Sequence, residues 1–237
     1  MSFRAVLFDW GGTLVHDDTL APGVAARAVV GCLREELGID VTAERFEAAF
    51  QEALPPYIPG QSLDHVLRID DVIARALGAL GVATAPVVLE RSCLAFSAVD
   101  IAAQEVFDDA RALLASLRYR GYRLAVVSNT IFPARLFEHR VRAAGFASYF
   151  DAVICSADVG RNKPHPAIYQ AALDALSVAA SEVLFVGARL DPDIAGAEAA
   201  GIAAVRIDRR RDRSDPATRT IDRLSGLNRY LGEGVRS

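Results

Sequence analysis

With 237 residues, the chain has room for one domain or for a core carrying an insertion, and at 52% hydrophobic it can bury a sizeable interior. A formal net charge of −4 argues against a nucleic-acid role, and no apolar run approaches the ~20 residues of a membrane span. The first strand signal begins almost at Met1, so no signal peptide is expected and the chain is read as cytoplasmic.

Arg4-Ala-Val-Leu-Phe-Asp9-Trp-Gly-Gly-Thr13-Leu is an apolar run that stops at a carboxylate and is followed at once by two glycines. It reads as a buried strand with a sharp turn at its carboxyl end, where open α/β sheets hold their ligands. A long stretch of helical periodicity follows. One helix is expected from about 22 to 37, stopped by Gly38, and a second from about 42 to 54 with Thr42 as N-cap. The loop Leu54-Pro-Pro-Tyr-Ile-Pro-Gly60 breaks the pattern. Ser62 is expected to cap a third helix ending near Gly81, and a fourth follows Pro86.

From about 106 the rhythm changes to alternating helix and strand. Helices are predicted for Phe107 to Arg120, Pro133 to Ala144, Pro166 to Leu176 and Pro192 to Ala200. Strands are predicted at 123–127, 151–155, 183–186 and 203–207. Short β-branched runs between helices point to a parallel sheet covered on both faces. The run Arg209-Arg-Arg-Asp-Arg213 reads as a solvated loop, because an aspartate interrupts it. Cys32, Cys93 and Cys155 show no metal spacing and read as buried free thiols.

Polar groups gather at four successive strand ends: Asp9 with Thr13, Ser128-Asn129-Thr130, Asn162-Lys163-Pro164, and Gly187 through Asp193. Any one of these is ordinary turn chemistry; four on one sheet point to a site. Lys163 is the only lysine among 26 basic residues. A site that needs a compact ammonium rather than a planar fork would explain its survival.

Together these segments resemble the haloacid dehalogenase superfamily. So do Ala144-Gly-Phe-Ala-Ser-Tyr-Phe-Asp-Ala-Val-Ile through Asn162-Lys-Pro-His-Pro-Ala-Ile-Tyr169, and Asp193-Ile-Ala-Gly-Ala-Glu-Ala-Ala-Gly201. The resemblance implies a doubly wound, Rossmann-like parallel sheet over 1–17 and 105–237, with a smaller all-helical cap over 18–104. It implies that Asp9 is a nucleophile forming an aspartyl intermediate, and that Thr13, Ser128 and the backbone around Gly12, Asn129 and Thr130 bind the transferred group. Lys163 would neutralise charge, and Asp193 would orient Lys163. Mg²⁺ is the implied cofactor, held by Asp9, the Gly11 carbonyl and Asp193. The expected partner is a small phosphorylated molecule, with no nucleic acid and no membrane, and the chain is expected to be a monomer or homodimer.

Two positions depart from the family pattern. Phosphatases of the family usually carry a second aspartate two residues after the nucleophile, which protonates the leaving oxygen; here that residue is Gly11. The fourth motif usually reads Gly-Asp, with the aspartate on Mg²⁺; here it reads Gly187-Ala188-Arg189-Leu190-Asp191-Pro192-Asp193, so binding of Mg²⁺ should be weak. Asp191 is a substitute ligand to consider, and Arg189 is expected to point to solvent.

Three readings follow. The first is hydrolysis of phosphate esters, above all activated ones. The second is metal-independent attack on carbon, as in haloacid dehalogenases. The third is a binding protein that kept the fold and lost the chemistry. A phosphonate-cleaving relative would need a lysine in the cap, and none is present. His16, Asp17 and Asp18 lie on the linker entering the cap, Tyr57 either faces the site or packs within the cap, and His165 is read as structural.

Overall fold

The computed structural model describes residues 3–16, 23–54, 66–209 and 219–231. Asp17, Asp18, Tyr57, Ser62 and residues 210–213 lie outside the described residues. Six strands form one sheet: β1 (Ala5–Phe8), β2 (Arg123–Ser128), β3 (Ala152–Cys155), β4 (Val183–Gly187), β5 (Ala203–Ile207) and β6 (Thr220–Ile221). Their order is β3-β2-β1-β4-β5-β6, and every pairing is parallel. The chain builds one half outward from β1, then returns across β1 to build the other. The reversal leaves a crevice at the carboxyl end of β1, between β2 and β4.

β1 shows why its four residues are all apolar. Val6 and Phe8 face one hydrophobic core, Ala5 and Leu7 face the second, and all four are fully buried. Phe8 is level with Val126 of β2 and Val186 of β4. Asp9 is therefore the first residue past the sheet, and its N–H donates to the Val186 carbonyl at 2.9 Å.

Between β1 and β2 run α1 (Val24–Leu37), α2 (Ala43–Ala53), α3 (Ile69–Ala79), α4 (Pro86–Ala102) and α5 (Ala110–Tyr119). α1 packs on α4 and α2 on α3. Thr42 caps α2 as expected, its hydroxyl accepting from Arg45 N at 3.4 Å. Helix α5 begins at Ala110, three residues later than expected; Phe107 N–H donates to the Leu14 carbonyl and the Phe107 carbonyl accepts from Ala110 N, a turn that leads into the helix. After β2 come α6 (Ala134–Ala143), α7 (Ser156–Val159) and α8 (Pro166–Leu176). The last of these has the predicted limits.

Three further expectations need correction, and two elements lie outside them. The helix expected from Pro192 starts earlier, as a π-helical turn over Leu190–Ala195 that runs into α9 (Gly196–Ala199). β6 and the 3₁₀ turn Leu224–Arg229 were not anticipated; two strand residues are too few to show a period. Cys32 is only half-buried, while Cys93 and Cys155 are buried, and all three are free. Arg209, read as solvated, is half-buried. Its Nη1 donates to both oxygens of Asp109 at 2.9 and 3.0 Å, and its Nη2 to the Thr13 carbonyl at 2.7 Å.

Candidate functional site

Three charged side chains meet on the floor of the crevice. Lys163 Nζ lies 2.7 Å from Asp9 Oδ1 and 2.6 Å from Asp193 Oδ1. The ammonium is 2% exposed, Asp193 1% and Asp9 11%. Burial alone would lower the lysine pKa, but the two carboxylates outweigh it and hold the ammonium above its ordinary range. Asp193 moves up, first because it is buried and then because Asp9 repels it, with Lys163 opposing both.

Each member is held by local structure. Asp9 Oδ2 accepts from the Thr13 hydroxyl at 3.2 Å. Lys163 is clamped through its backbone: Asn129 Oδ1 accepts from Lys163 N at 2.7 Å, and Asn129 Nδ2 donates to Lys163 O at 2.9 Å. Asp193 Oδ2 accepts from Arg189 N at 2.9 Å. Gly187 makes that approach possible, since a Cβ there would sit 2.5 Å from the Asp193 Cβ. Tyr169 donates its hydroxyl to the Pro192 carbonyl and so fixes the turn that carries Asp193. Gly196 leaves room for it, as a Cβ there would meet the Tyr169 hydroxyl at 2.5 Å.

Above this floor is a cavity of about 150 Å³. Of the expected residues, Asp9, Gly11, Ser128, Asn129, Thr130, Lys163 and Asp193 line it. Thr13 and Gly12 do not. Thr13 is fully buried with its hydroxyl on Asp9, so it supports the carboxylate instead of facing a ligand. Gly12 turns the chain at φ 71°, and its N–H is taken by the Val15 carbonyl at 2.8 Å. Asn129 and Thr130 line the cavity, and part of their polar groups is engaged. The Asn129 amide holds Lys163, and Thr130 N donates to Ser156 Oγ at 2.9 Å. Asp191 is exposed and does not line the cavity; Arg189, expected to point to solvent, is exposed but also lines the cavity. His165 accepts from Ala167 N and caps α8, which matches its structural reading.

Sequence reasoning missed Trp10, Phe137, Arg140 and Pro192, all in the cavity wall, and Ser156 behind it. Trp10 sits beside the nucleophile candidate and was legible in principle. Phe137 and Arg140 lie on an ordinary amphipathic helix, and nothing in its period marks them.

The donor set does not fit a tightly held Mg²⁺, which takes six oxygens in near-octahedral array. Both oxygens of Asp193 are engaged within the protein, and Ala188 carries no donor. Asp9 is engaged likewise, its Oδ1 on Lys163 and its Oδ2 on Thr13, which leaves the Gly11 carbonyl. Among the described residues, no group of three or more His, Cys, Asp or Glu converges.

The model of the haloacid dehalogenase-like hydrolase family matches residues 3–201. A glyceraldehyde 3-phosphate phosphatase from Methanopyrus kandleri is 29% identical over 87% of this chain and 84% of its own. The crystal structure of an HAD phosphatase from Thermococcus onnurineus superposes with a TM-score of 0.60 at 28% identity, covering 98% of this chain and 99% of its own. A 2-haloacid dehalogenase from Pseudomonas syringae gives a TM-score of 0.64 at 26% identity, over 96% and 97% of the two chains. By fold, by the ends of its strands and by these matches, the chain belongs to the haloacid dehalogenase-like hydrolase family.

Proposed function

We propose that the protein hydrolyses a small phosphate ester through an aspartyl-phosphate on Asp9, within a core of residues 1–17 and 105–237 closed by a helical cap over 18–104. The single observation that carries this reading is the position of Lys163 Nζ, within 2.7 Å of Asp9 and 2.6 Å of Asp193, beneath the cavity.

Asp9 is aimed by Lys163 and Thr13 and attacks phosphorus; the phosphorus–oxygen ester bond breaks and the alcohol oxygen leaves with the electron pair. Water then attacks phosphorus in the aspartyl-phosphate, releasing inorganic phosphate and restoring the Asp9 carboxylate. Lys163 supplies fixed positive charge where the transferred oxygens become more negative. Ser128 faces those oxygens from the end of β2. A cavity near 150 Å³ is well below the ~300–1,000 Å³ of sites for larger ligands, which favours a small substrate. Gly11 offers no proton to the leaving oxygen. Rates should therefore fall steeply as the leaving group becomes more basic, since such help is worth about 10²–10⁴-fold.

The test is turnover of an aryl phosphate and an acyl phosphate, with and without millimolar Mg²⁺. Turnover that Asp9→Asn abolishes is the expected result; folded protein that turns over neither ester with Mg²⁺ present overturns the reading. A second reading is attack on carbon with loss of halide, which the absence of a side-chain acid at Gly11 favours because halide leaves without a proton. Halide release from a 2-haloacid in the presence of a chelator would select it over the first.

A further inference from the structure

The turn that carries Asp9 is gripped from behind by a residue 196 positions from Thr13. Arg209 lies just beyond β5, and its Nη2 donates to the Thr13 carbonyl at 2.7 Å. Among the described residues, it is the one side chain that donates to a backbone carbonyl of residues 10–15. Thr13 is fully buried, and its hydroxyl donates to Asp9 Oδ2 at 3.2 Å. A line of contacts therefore runs from the guanidinium through one residue to the candidate nucleophile.

Arg209 is itself fixed in place. Its Nη1 donates to both oxygens of Asp109 at 2.9 and 3.0 Å, and its guanidinium carbon lies 3.8 Å from the centroid of the Phe107 ring. Phe107 N–H holds the Leu14 carbonyl, the one after Thr13, at 3.1 Å. Asp109 also accepts from Leu224 N at 2.8 Å, so the pair is anchored at both ends. The Arg209 and Asp109 side chains are 14% and 7% exposed, and water screens them little. A buried ion pair is a poor choice for mere stability, since apolar packing could join β5 to α5 as well or better. The guanidinium fork does what apolar packing cannot: one arm takes the carboxylate and the other takes the carbonyl behind Asp9.

We propose that Arg209 is a positioning residue for Asp9. It fixes the Thr13 carbonyl, so that the Thr13 hydroxyl stays on Asp9 Oδ2 and the carboxylate keeps the orientation from which it attacks. The proposal rests on the phosphatase reading for its effect on rate, but not for its effect on the Asp9 carboxylate. Neither Arg209 nor Thr13 lines the cavity, so Arg209 touches no substrate and acts only through the turn. Its loss should therefore fall on kcat and spare KM, since a misplacement of about 1 Å can cost about 10²-fold in rate.

The experiment is a double-mutant cycle between Arg209→Met and Thr13→Val. It is read in aryl phosphate turnover and in the carbon-13 shift of the Asp9 carboxyl, which Asp9→Asn assigns by its disappearance. Arg209→Met should lower kcat by about 10- to 100-fold and change KM less than about twofold. Thr13→Val should cost a similar factor, and the double variant should be no slower than the slower single one, because both remove the same hold on Asp9. Arg209→Lys keeps the charge but cannot serve Asp109 and the Thr13 carbonyl in the same geometry, so it should retain only part of kcat. It replaces Arg209→Met if that variant does not fold, and its loss should likewise vanish beside Thr13→Val. Losses that multiply, or a rise in KM that matches the fall in kcat, would make Arg209 a link between β5 and α5 and overturn the proposal. The Asp9 carboxyl shift should move in the Arg209 variant in the same direction as in Thr13→Val; a shift that stays put overturns it. If no ester is turned over, the phosphatase reading fails alone, and the carboxyl shift decides the positioning role.

Discussion

Two clusters of charge do different work in this protein. One is the Asp9–Lys163–Asp193 set under the cavity; the other is the arginine-rich seam between α3, α4, α6 and α7. In the first, a single ammonium that is 2% exposed serves two carboxylates. In the second, Asp70 accepts from Arg68 Nη2 at 2.9 Å and from Arg135 Nη2 at 3.1 Å, while Arg68 also reaches Asp158 at 3.3 Å and Arg135 pairs with Glu90. Arg68 is 34% exposed and Arg135 43%. Water screens the seam and not the floor. The lesson is that the only lysine of the chain sits where one small cation must fit between two anions, and arginines sit where several partners must be reached across an interface.

The largest expected effect comes from removing the central cation. Lys163→Met leaves two buried carboxylates facing each other, which costs about 3–5 kcal/mol of stability and should lower turnover by about 10²–10³-fold or more. The pH dependence is the distinguishing sign. The repulsion raises carboxylate pKa values in the folded variant, so the variant should regain stability as the pH falls and the pair takes up a proton. Urea unfolding across the acid range measures this; a variant that only weakens further in acid would mean the two carboxylates are not coupled through Lys163.

Lys163→Arg sharpens the comparison. The charge survives, but a guanidinium is wider than an ammonium, and the Phe185 ring lies only 5.4 Å from Nζ. Turnover should fall by about 10- to 100-fold, in the range of a weakened charged hydrogen bond. The same exchange reversed at the seam, Arg135→Lys, should change activity less than twofold. Equal effects at the two places would erase the distinction drawn between them.

The sequence shows the floor well and the walls poorly. β1 to β5 and α8 were legible because apolar runs and proline or glycine punctuation are local signals. Asp9, Ser128, Lys163 and Asp193 were legible because each lies at or beyond the end of a strand, and parallel strands bring their ends to one edge. Trp10, beside Asp9, was passed over although it was legible in principle; Arg140 became visible only in the fold, since the cavity wall is assembled from segments far apart in the chain. Arg209 misled for the same reason: its neighbours in sequence are charged, but its partners are Asp109 and the Thr13 carbonyl. Gly12 and Thr13 stand apart from the cavity lining. Their residue types suit phosphate binding, yet the turn spends one on Val15 and the other on Asp9.

A smaller effect is expected at Tyr169, which touches neither Lys163 nor Asp9 but holds the turn carrying Asp193. Tyr169→Phe removes one buried hydroxyl and leaves the Pro192 carbonyl without it. A loss of about 1 kcal/mol in urea unfolding is expected, with turnover reduced less than tenfold because Lys163 and Arg189 N still hold Asp193.

The smallest effect belongs to the seam. Burial pushes the Asp70 carboxyl up, but Arg68 and Arg135 together hold it below its ordinary value of 3.8. A carboxylate whose pKa is depressed on folding adds stability above its unfolded pKa, and that stability is lost as the pH falls through the folded value. Because both arginines are more than a third exposed in part of the pair, the gain is screened to about 0.5–1 kcal/mol. Asp70→Asn should therefore lower stability by that amount at pH 7, and the difference should vanish as the pH falls through the lowered folded pKa, where wild type loses the same contribution. Added salt should shrink the difference further, since exposed pairs are screened within about 10 Å at 0.1 M. The floor should respond far less to salt, and a Lys163→Met penalty that vanished in salt would show that the buried set is as open to water as the seam.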